Sequence, residues 1–473
     1  MELKKIMIDG AWVETADSFS VRSPFSGEHL ADISTADAND IETSLAAAQA
    51  ASVKMRGLAR FQIAQGLRAI SSGIDARKDE FARTIALESA KPMMYARGEV
   101  NRAIATFAWA AGEAERFTGE IVPVDVQPSG RGKWARTIMR PRGVIYGITP
   151  FNFPLNLVAH KVAPALAAGN AIIIKPSPRT PLTSLLLGEV FLESGLPKGA
   201  LQIVPTDIEN IDLILNDERV SMISFTGSAA VGWDIKNRAG KKAIALELGG
   251  NAPVIVDESA DIERSLSRTL TGAFAYSGQV CISVQRVYVH ESKFDNWTAD
   301  LVERAKSLKN GDPLKDDTQL SVMIDEASAK RAESWVTEAA DNGAEILTGN
   351  KRDGAFLNAT ILTKTDPEMR VVAEEVFAPV VVVEKFSEFS EAVDMANNSK
   401  YGLQAGVFSN DNRNIEFASE HLEYGGVIIN DSPIFRVDNM PYGGLKESGF
   451  GREGVRYAMD EMSEVKLVVN DQT

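Results

Sequence analysis

The chain of 473 residues has a single cysteine, Cys281, and only four histidines. One thiol cannot close an internal disulfide, which fits a reducing cytoplasm. Nor can it assemble a thiolate zinc site, and no HExxH or CxxC spacing offers another way to hold a structural metal. No apolar run approaches the roughly 20 residues that span a bilayer. The first ten residues lack the apolar core, about 7–15 residues long, of a secretory leader. Cations are short as well: 50 Lys and Arg face 65 Asp and Glu, a formal net charge of −15. Such a surface repels nucleic-acid phosphates and anionic membranes, so neither is expected as a partner. A site for an anionic ligand must then bring its own local positive charge. Internal repeats and low-complexity tracts are also missing.

What is present reads as a folded α/β protein. The hydrophobic fraction of 44% is ordinary for a globular chain. The length exceeds one ordinary core, so two or three domains are expected. Residues 40–120 show helical periodicity, from Ile41 to Val53, Arg60 to Ile74, Lys78 to Leu87 and Glu99 to Arg116. Between 122 and 141, short alternating runs broken by Gly130 and Gly132 predict a hairpin-like excursion.

From Gly143 to Val256, short apolar strands alternate with helices. The strands are read at 144–148, 171–175, 201–204, 222–225, 243–248 and 254–256, with helices at 182–193 and 229–238. That rhythm predicts a mostly parallel, doubly wound sheet, with ligands beyond the carboxyl ends of its strands. A second α/β stretch runs from about 260 to 445, with strands at 287–289 and 380–383 and helices at 293–308 and 327–340. The tail, 463–470, reads as a strand that pairs with the 122–141 excursion or with the edge of another subunit.

Four places could carry chemistry. Cys281 alone would read as an inert buried thiol. Its neighbours Gly278, Ser283 and Gln285 instead suit an open loop facing a cleft. Glu247 ends a strand before Leu248-Gly249-Gly250-Asn251. It is either a solvated carboxylate or a general base, and the glycines permit close backbone approach. Asn152, between Pro150 and Pro154, is a turn residue or an amide donor for an oxyanion. Phe225-Thr226-Gly227-Ser228 leads from a strand into a helix whose first N–H groups favour a phosphate. It lacks the full G-x-G-x-x-G fingerprint.

These segments together resemble the aldehyde dehydrogenase superfamily along nearly the whole chain. The matching stretches are Ile148-Thr149-Pro150-Phe151-Asn152-Phe153-Pro154, Lys175-Pro176-Ser177, Phe225-Thr226-Gly227-Ser228 and Leu246-Glu247-Leu248-Gly249-Gly250-Asn251. Gly278-Gln279-Val280-Cys281, Glu374-Glu375-Val376-Phe377-Ala378-Pro379 and Pro441 to Gly449 follow in order. The resemblance implies the family's fold: a Rossmann-like cofactor domain (1–121 and 142–250), an α/β catalytic domain (251–445) and a small β oligomerisation element (122–141 and 446–473). It implies NAD or NADP as cofactor, a small aldehyde as substrate, and a homodimer or homotetramer.

The resemblance also assigns roles. Cys281 is the nucleophile, Glu247 activates the hydrolytic water, and Asn152 with the Cys281 N–H forms the oxyanion hole. Lys175 contacts the adenosine ribose, with Ser177, Pro178 and Arg179 beside it. Gly227 and Ser228 receive the pyrophosphate, flanked by Phe225, Thr226 and Val231. Glu375 holds the nicotinamide ribose and Phe377 packs near the nicotinamide. Ile148, Thr149, Pro150, Phe151, Leu248 and Gly249 complete the coenzyme set. Members that pass the acyl group to coenzyme A usually lack the glutamate, so Glu247 argues for hydrolysis over the alternative of a coenzyme A-acylating enzyme. A non-catalytic scaffold of the same fold, the other alternative, would be expected to have lost Cys281 or Glu247.

Departures from the pattern bear on specificity. Phe151 and Ala378 stand where the family commonly has Trp and Gly. Many NAD-preferring members carry a Glu three residues after the lysine; here that place is Pro178, followed by Arg179. No carboxylate there repels a 2′-phosphate, so NADP is expected to be accepted. On the substrate side, Phe153, His160, Arg102 and Arg436 are the candidates. A cation at Arg436 suits a carboxylate, phosphate, phosphonate or sulfonate tail, unless it pairs with Asp438 or Asp431. The stretch from Ser432 to Asn439 resembles the branch acting on lactaldehyde, phosphonoacetaldehyde and glyceraldehyde 3-phosphate.

Overall fold

The computed structural model describes residues 3–471. An eight-stranded sheet runs in the order Gly449–Phe450, Ala243–Glu247, Val220–Thr226, Val144–Ile148, Ala171–Lys175, Leu201–Ile203, Ile6–Ile8, Ala11–Val13. Its five middle strands are parallel, and antiparallel strands close both edges. Val144–Ile148 and Ala171–Lys175 are buried at every position. Continuous β-branched and apolar runs belong in such strands because helices cover both faces of the sheet. Arg60–Ala76, Met93–Arg116 and Asn156–Ala167 supply part of that cover, and their apolar stripes join one large core.

A seven-stranded sheet follows in the order Glu345–Thr348, Thr360–Thr363, Val380–Phe386, Val284–His290, Ala252–Val256, Gln404–Phe408, Gly426–Ile429. Only the first pair is antiparallel. Residues 248–251 lead from one sheet to the other, so Glu247 at the carboxyl end of the first lies close in sequence to the amino end of the second. Two mostly parallel sheets in an α/β chain are what the strand–helix rhythm of the sequence predicts.

The tail strand Ser463–Asp471 pairs antiparallel with Lys133–Pro141 over its full length, and Ile121–Val122 adds a third strand. Of the two partners considered for the tail, the chain's own 122–141 excursion is therefore occupied. One boundary needs correction. Gly449–Phe450 pairs with Leu246 and Glu247 in the large sheet, so the segment after 446 does not belong wholly to the small β element. The N-terminal strands, including Asp17–Arg22 and His29–Thr35, were not expected; they are short, and their polar residues hide the alternation. The helix expected from Glu99 begins earlier, at Met93, directly after Pro92.

Candidate active site

Cys281 is set by an unusual turn. The helix Ile262–Phe274 ends, and Tyr276, Ser277 and Gly278 follow with φ of 50°, 53° and 69°. Two successive non-glycine residues in the left-handed region are costly and persist only when their surroundings fix them. Here the Tyr276 hydroxyl donates to Ser89 O at 2.9 Å and Ser277 Oγ to Ser321 O at 2.7 Å. At Gly278 a Cβ would lie 2.0 Å from Ala378 O, so only glycine allows this approach.

The half-buried Cys281 faces a cleft of about 690 Å³ that Asn152 and Glu247 also line. Asn152 Nδ2 donates to Gln279 O at 3.0 Å, which orients the amide and leaves its second N–H for another acceptor. Glu247 is 4% exposed, and neither carboxylate oxygen has a partner. Burial, then the Glu453 charge, pushes its pKa well above the ordinary carboxylate range, against the pull of Arg436, Lys161 and Arg452. Burial also pushes the Cys281 thiol up to about 11; the Tyr442 hydroxyl, 3.0 Å from Sγ, lowers it.

Most of the expected coenzyme residues meet in the same cleft. Pro150, Phe151, Thr226, Gly227, Ser228, Leu248, Gly249, Glu375 and Phe377 all line it. Phe151 and Phe377 pack edge to face at 6.0 Å. Ser228 precedes the helix Ala229–Arg238 without a side-chain capping bond, so the first-turn donors are left for a ligand. Glu375 accepts from Gly250 N at 3.1 Å, and a Cβ on Gly249 would fall 2.1 Å from its Oε2. Burial pushes Glu375 up to about 7, with the Gly250 N–H and Arg331 pulling down. These donors and this glycine cradle fit a nicotinamide dinucleotide.

Ile148, Thr149, Lys175, Ser177, Pro178, Arg179, Phe225 and Val231 do not line that cleft. Lys175 ends its strand 7% exposed, its pKa lowered by burial. Arg179 is engaged by Asp325 at 2.8 Å on the surface.

None of the four substrate candidates is in the cleft lining. Arg436 Nη2 donates to Glu453 Oε2 at 3.0 Å, with both side chains 5% exposed. The expected partners, Asp438 and Asp431, are therefore not the ones Arg436 takes. Asp438 instead accepts from Arg102 at 2.7 Å and pairs with His160 Nε2 at 2.7 Å. Burial, then the Arg436 charge, lowers the His160 pKa, which favours a neutral ring. Phe153 lies under the buried Lys91, whose Nζ is 3.6 Å from the ring centroid. Lys91 pairs with Glu99, which also accepts from Leu155 N and Asn156 N and so caps the helix Asn156–Ala167.

Several residues were not foreseen. Tyr442, Lys161 and Glu453 join His160 and Arg436 in a buried polar cluster; Lys161 Nζ lies 3.5 Å from Glu453 Oε1 and donates to Thr226 Oγ1 at 2.7 Å. The signal was available: His160-Lys161 interrupts an otherwise apolar helix, and a buried charge there demands partners. Gln285 does not sit in an open loop. It lies in Val284–His290, donates to Val371 O and Glu374 O, accepts from Val376 N, and so pins the segment bearing Glu375.

Fold and cleft together define an NAD(P)-dependent oxidoreductase. The chain belongs to the aldehyde dehydrogenase family, whose model matches residues 12–468. It is 41% identical to the 3-sulfolactaldehyde dehydrogenase of Priestia aryabhattai over 465 residues, covering 98% of this chain and 97% of that one. It is 40% identical to the lactaldehyde dehydrogenase of Methanocaldococcus jannaschii over 474 residues, covering 98% and 99%. Among solved structures it resembles aldehyde dehydrogenase 21 of Physcomitrella patens in complex with the reaction product succinate. The TM-score is 0.98 and the identity 43%, covering 100% of this chain and 98% of that one. It also resembles the glyceraldehyde-3-phosphate dehydrogenase GapN of Methanocaldococcus jannaschii complexed with NADP. There the TM-score is 0.93 and the identity 38%, covering 97% and 100%. The chain is accordingly an enzyme that oxidises small aldehydes with NAD(P).

Proposed function

We propose that this enzyme converts a short hydroxylated or anionic aldehyde to its free acid through a covalent intermediate on Cys281. The observation that supports this most is the meeting of Cys281, Asn152 and Glu247 in one cleft. The Cys281 thiolate adds to the aldehyde carbonyl, forming a C–S bond and an alkoxide. The second N–H of Asn152 donates to that oxygen. Gly227, Ser228, Glu375 and Phe377 would hold NAD(P), which would supply the hydride acceptor. A thioester then remains on Cys281. Glu247, ionised, takes a proton from water, whose oxygen attacks the thioester carbonyl and releases the acid.

Arg436 and Arg102 are the groups that would meet the anionic tail of a substrate, each sharing its charge with the carboxylate it already holds. The relatives' sulfonated and hydroxylated three-carbon aldehydes support a short substrate. A reducing cytoplasm would keep the sole thiol active. The outward residues Val465, Leu467 and Val469, 50–66% exposed on the tail strand, support assembly into a homodimer or homotetramer.

The test is NAD(P)H formation with a panel of short aldehydes, with and without an anionic tail. Cys281→Ala is expected to lose at least about 10⁴-fold in activity. Arg436→Gln is expected to lose more activity on anionic aldehydes than on neutral ones. Equal loss on neutral and anionic aldehydes would rule out Arg436 as the tail anchor, and turnover that requires coenzyme A and yields an acyl-CoA instead of the free acid would rule out hydrolysis.

A further inference from the structure

Behind the nucleophile, one aromatic ring is clamped from three sides. Tyr442 and Glu453 exchange backbone hydrogen bonds, Tyr442 N to Glu453 O at 3.0 Å and Glu453 N to Tyr442 O at 2.7 Å. The Glu453 carboxylate holds Arg436, and the Arg436 guanidinium lies on the Tyr442 ring, 3.7 Å from its centroid. The far end of the ring places Oη 3.0 Å from Cys281 Sγ. The ring is 4% exposed, so water does not compete freely for that contact.

We propose that Tyr442 is a further catalytic residue, whose hydroxyl donates to Cys281 Sγ and stabilises it as thiolate, and that Arg436 acts through it as a positioning residue. The proposal rests on the reading of Cys281 as the nucleophile. The chemistry is a proton balance: on ionisation the thiol proton leaves to water, and the phenol turns its own O–H toward the sulfur without losing it. Burial holds the phenol above its ordinary range, so it stays a donor. A cation against the face of the ring draws electron density from the hydroxyl and strengthens the donor. The other charges facing the sulfur are Glu375 and Glu247, which oppose ionisation, and Arg436, which favours it. With two carboxylates against it, the sulfur needs a local donor, and Tyr442 supplies one at hydrogen-bond distance.

The sole cysteine makes this directly testable. Every alkylation by iodoacetamide, confirmed on the Cys281 peptide, reports this sulfur. Rates are measured from about pH 7 to about pH 10 on the coenzyme-free enzyme for wild type, Tyr442→Phe and Arg436→Gln. Tyr442→Phe keeps the clamped ring and removes only the hydroxyl. It is expected to slow alkylation about tenfold at each pH below the thiol pKa, one unit of displacement. Arg436→Gln is expected to shift the profile the same way by about threefold. The thiolate's ultraviolet absorbance should shift in step. Superimposable profiles for wild type and Tyr442→Phe would overturn the proposal, as would a shift in Arg436→Gln alone. Activity of Cys281→Ala separates the two readings: if it survives, the nucleophile assignment falls, while the alkylation profile still judges the Tyr442 contact.

Discussion

The two ends of the cleft are built on opposite plans. At the end proposed to hold the coenzyme, the ion pairs are open to water. Arg179–Asp325 is 59% and 26% exposed, and Lys400–Glu374 is 40% and 38%. Behind Cys281, His160–Asp438, Lys161–Glu453 and Arg436–Glu453 are all at most 5% exposed. Exposed pairs contribute little and exchange partners readily, as a site that binds and releases a coenzyme requires. Buried pairs fix a field and are costly to break. The difference separates a region tuned for exchange from one tuned for a constant environment.

The sharpest way to probe the buried end is Glu247→Gln. Steady-state turnover is expected to fall about 10²–10³-fold, while a first burst of NAD(P)H remains, because the acyl-enzyme forms and then hydrolyses slowly. The wild-type deacylation rate should rise with pH above the ordinary carboxylate range, since the base works only when ionised and its pKa is raised. The sign for stability is opposite. A carboxyl with a raised folded-state pKa contributes stability at low pH that is lost as pH rises through that pKa. Glu247→Gln should therefore melt higher than wild type at alkaline pH. A flat deacylation profile with no burst in the variant would break the assignment.

Glu453 tests the same region through stability. Burial raises its pKa, but Lys161, Arg436 and His160 outweigh burial and hold it at about 2. Its stabilisation is therefore present above the ordinary value of 4.5 and is lost as pH falls through about 2. At neutral pH, Glu453→Gln leaves Arg436 and Lys161 buried without their carboxylate, at a cost of about 3 kcal/mol. A lowered thermal midpoint at pH 7 that converges with wild type in acid is the expected result. A midpoint equal to wild type at pH 7 would mean that the buried end is no more committed than the surface.

The same contrast explains what could be read in the sequence. Strands such as Ala171–Lys175 announce themselves because burial on both faces leaves only apolar residues. Gly278, Gly249 and Asn152 were legible because a tight backbone approach or an oriented amide restricts the residue type at one position. The buried polar cluster was not legible in that way. Arg102 and Asp438 are 336 residues apart, and His160 and Asp438 are 278. Nothing local in a chain says which of its 65 carboxylates will meet Arg436, so Asp438 and Asp431 stood in for Glu453. Gln285 misled for a related reason: a polar residue near a loop reads as exposed, although its amide satisfies three backbone groups of the Glu375 segment.

The smallest effect belongs to the open end. Asp325 holds Arg179 at 2.8 Å and also caps the helix Glu326–Asp341 by accepting from Ser328 N. A 2′-phosphate near Arg179 would compete with that carboxylate for the guanidinium. Asp325→Asn keeps a capping oxygen and removes the competing charge. Its KM for NADP is expected to fall about two- to threefold, with that for NAD unchanged, in line with the ~0.2–1 kcal/mol of an exposed pair. High salt should erase the difference, because exposed charges are screened. A larger and salt-insensitive change would mean that the Arg179–Asp325 pair is part of a fixed site, and the two ends of the cleft would then follow one plan.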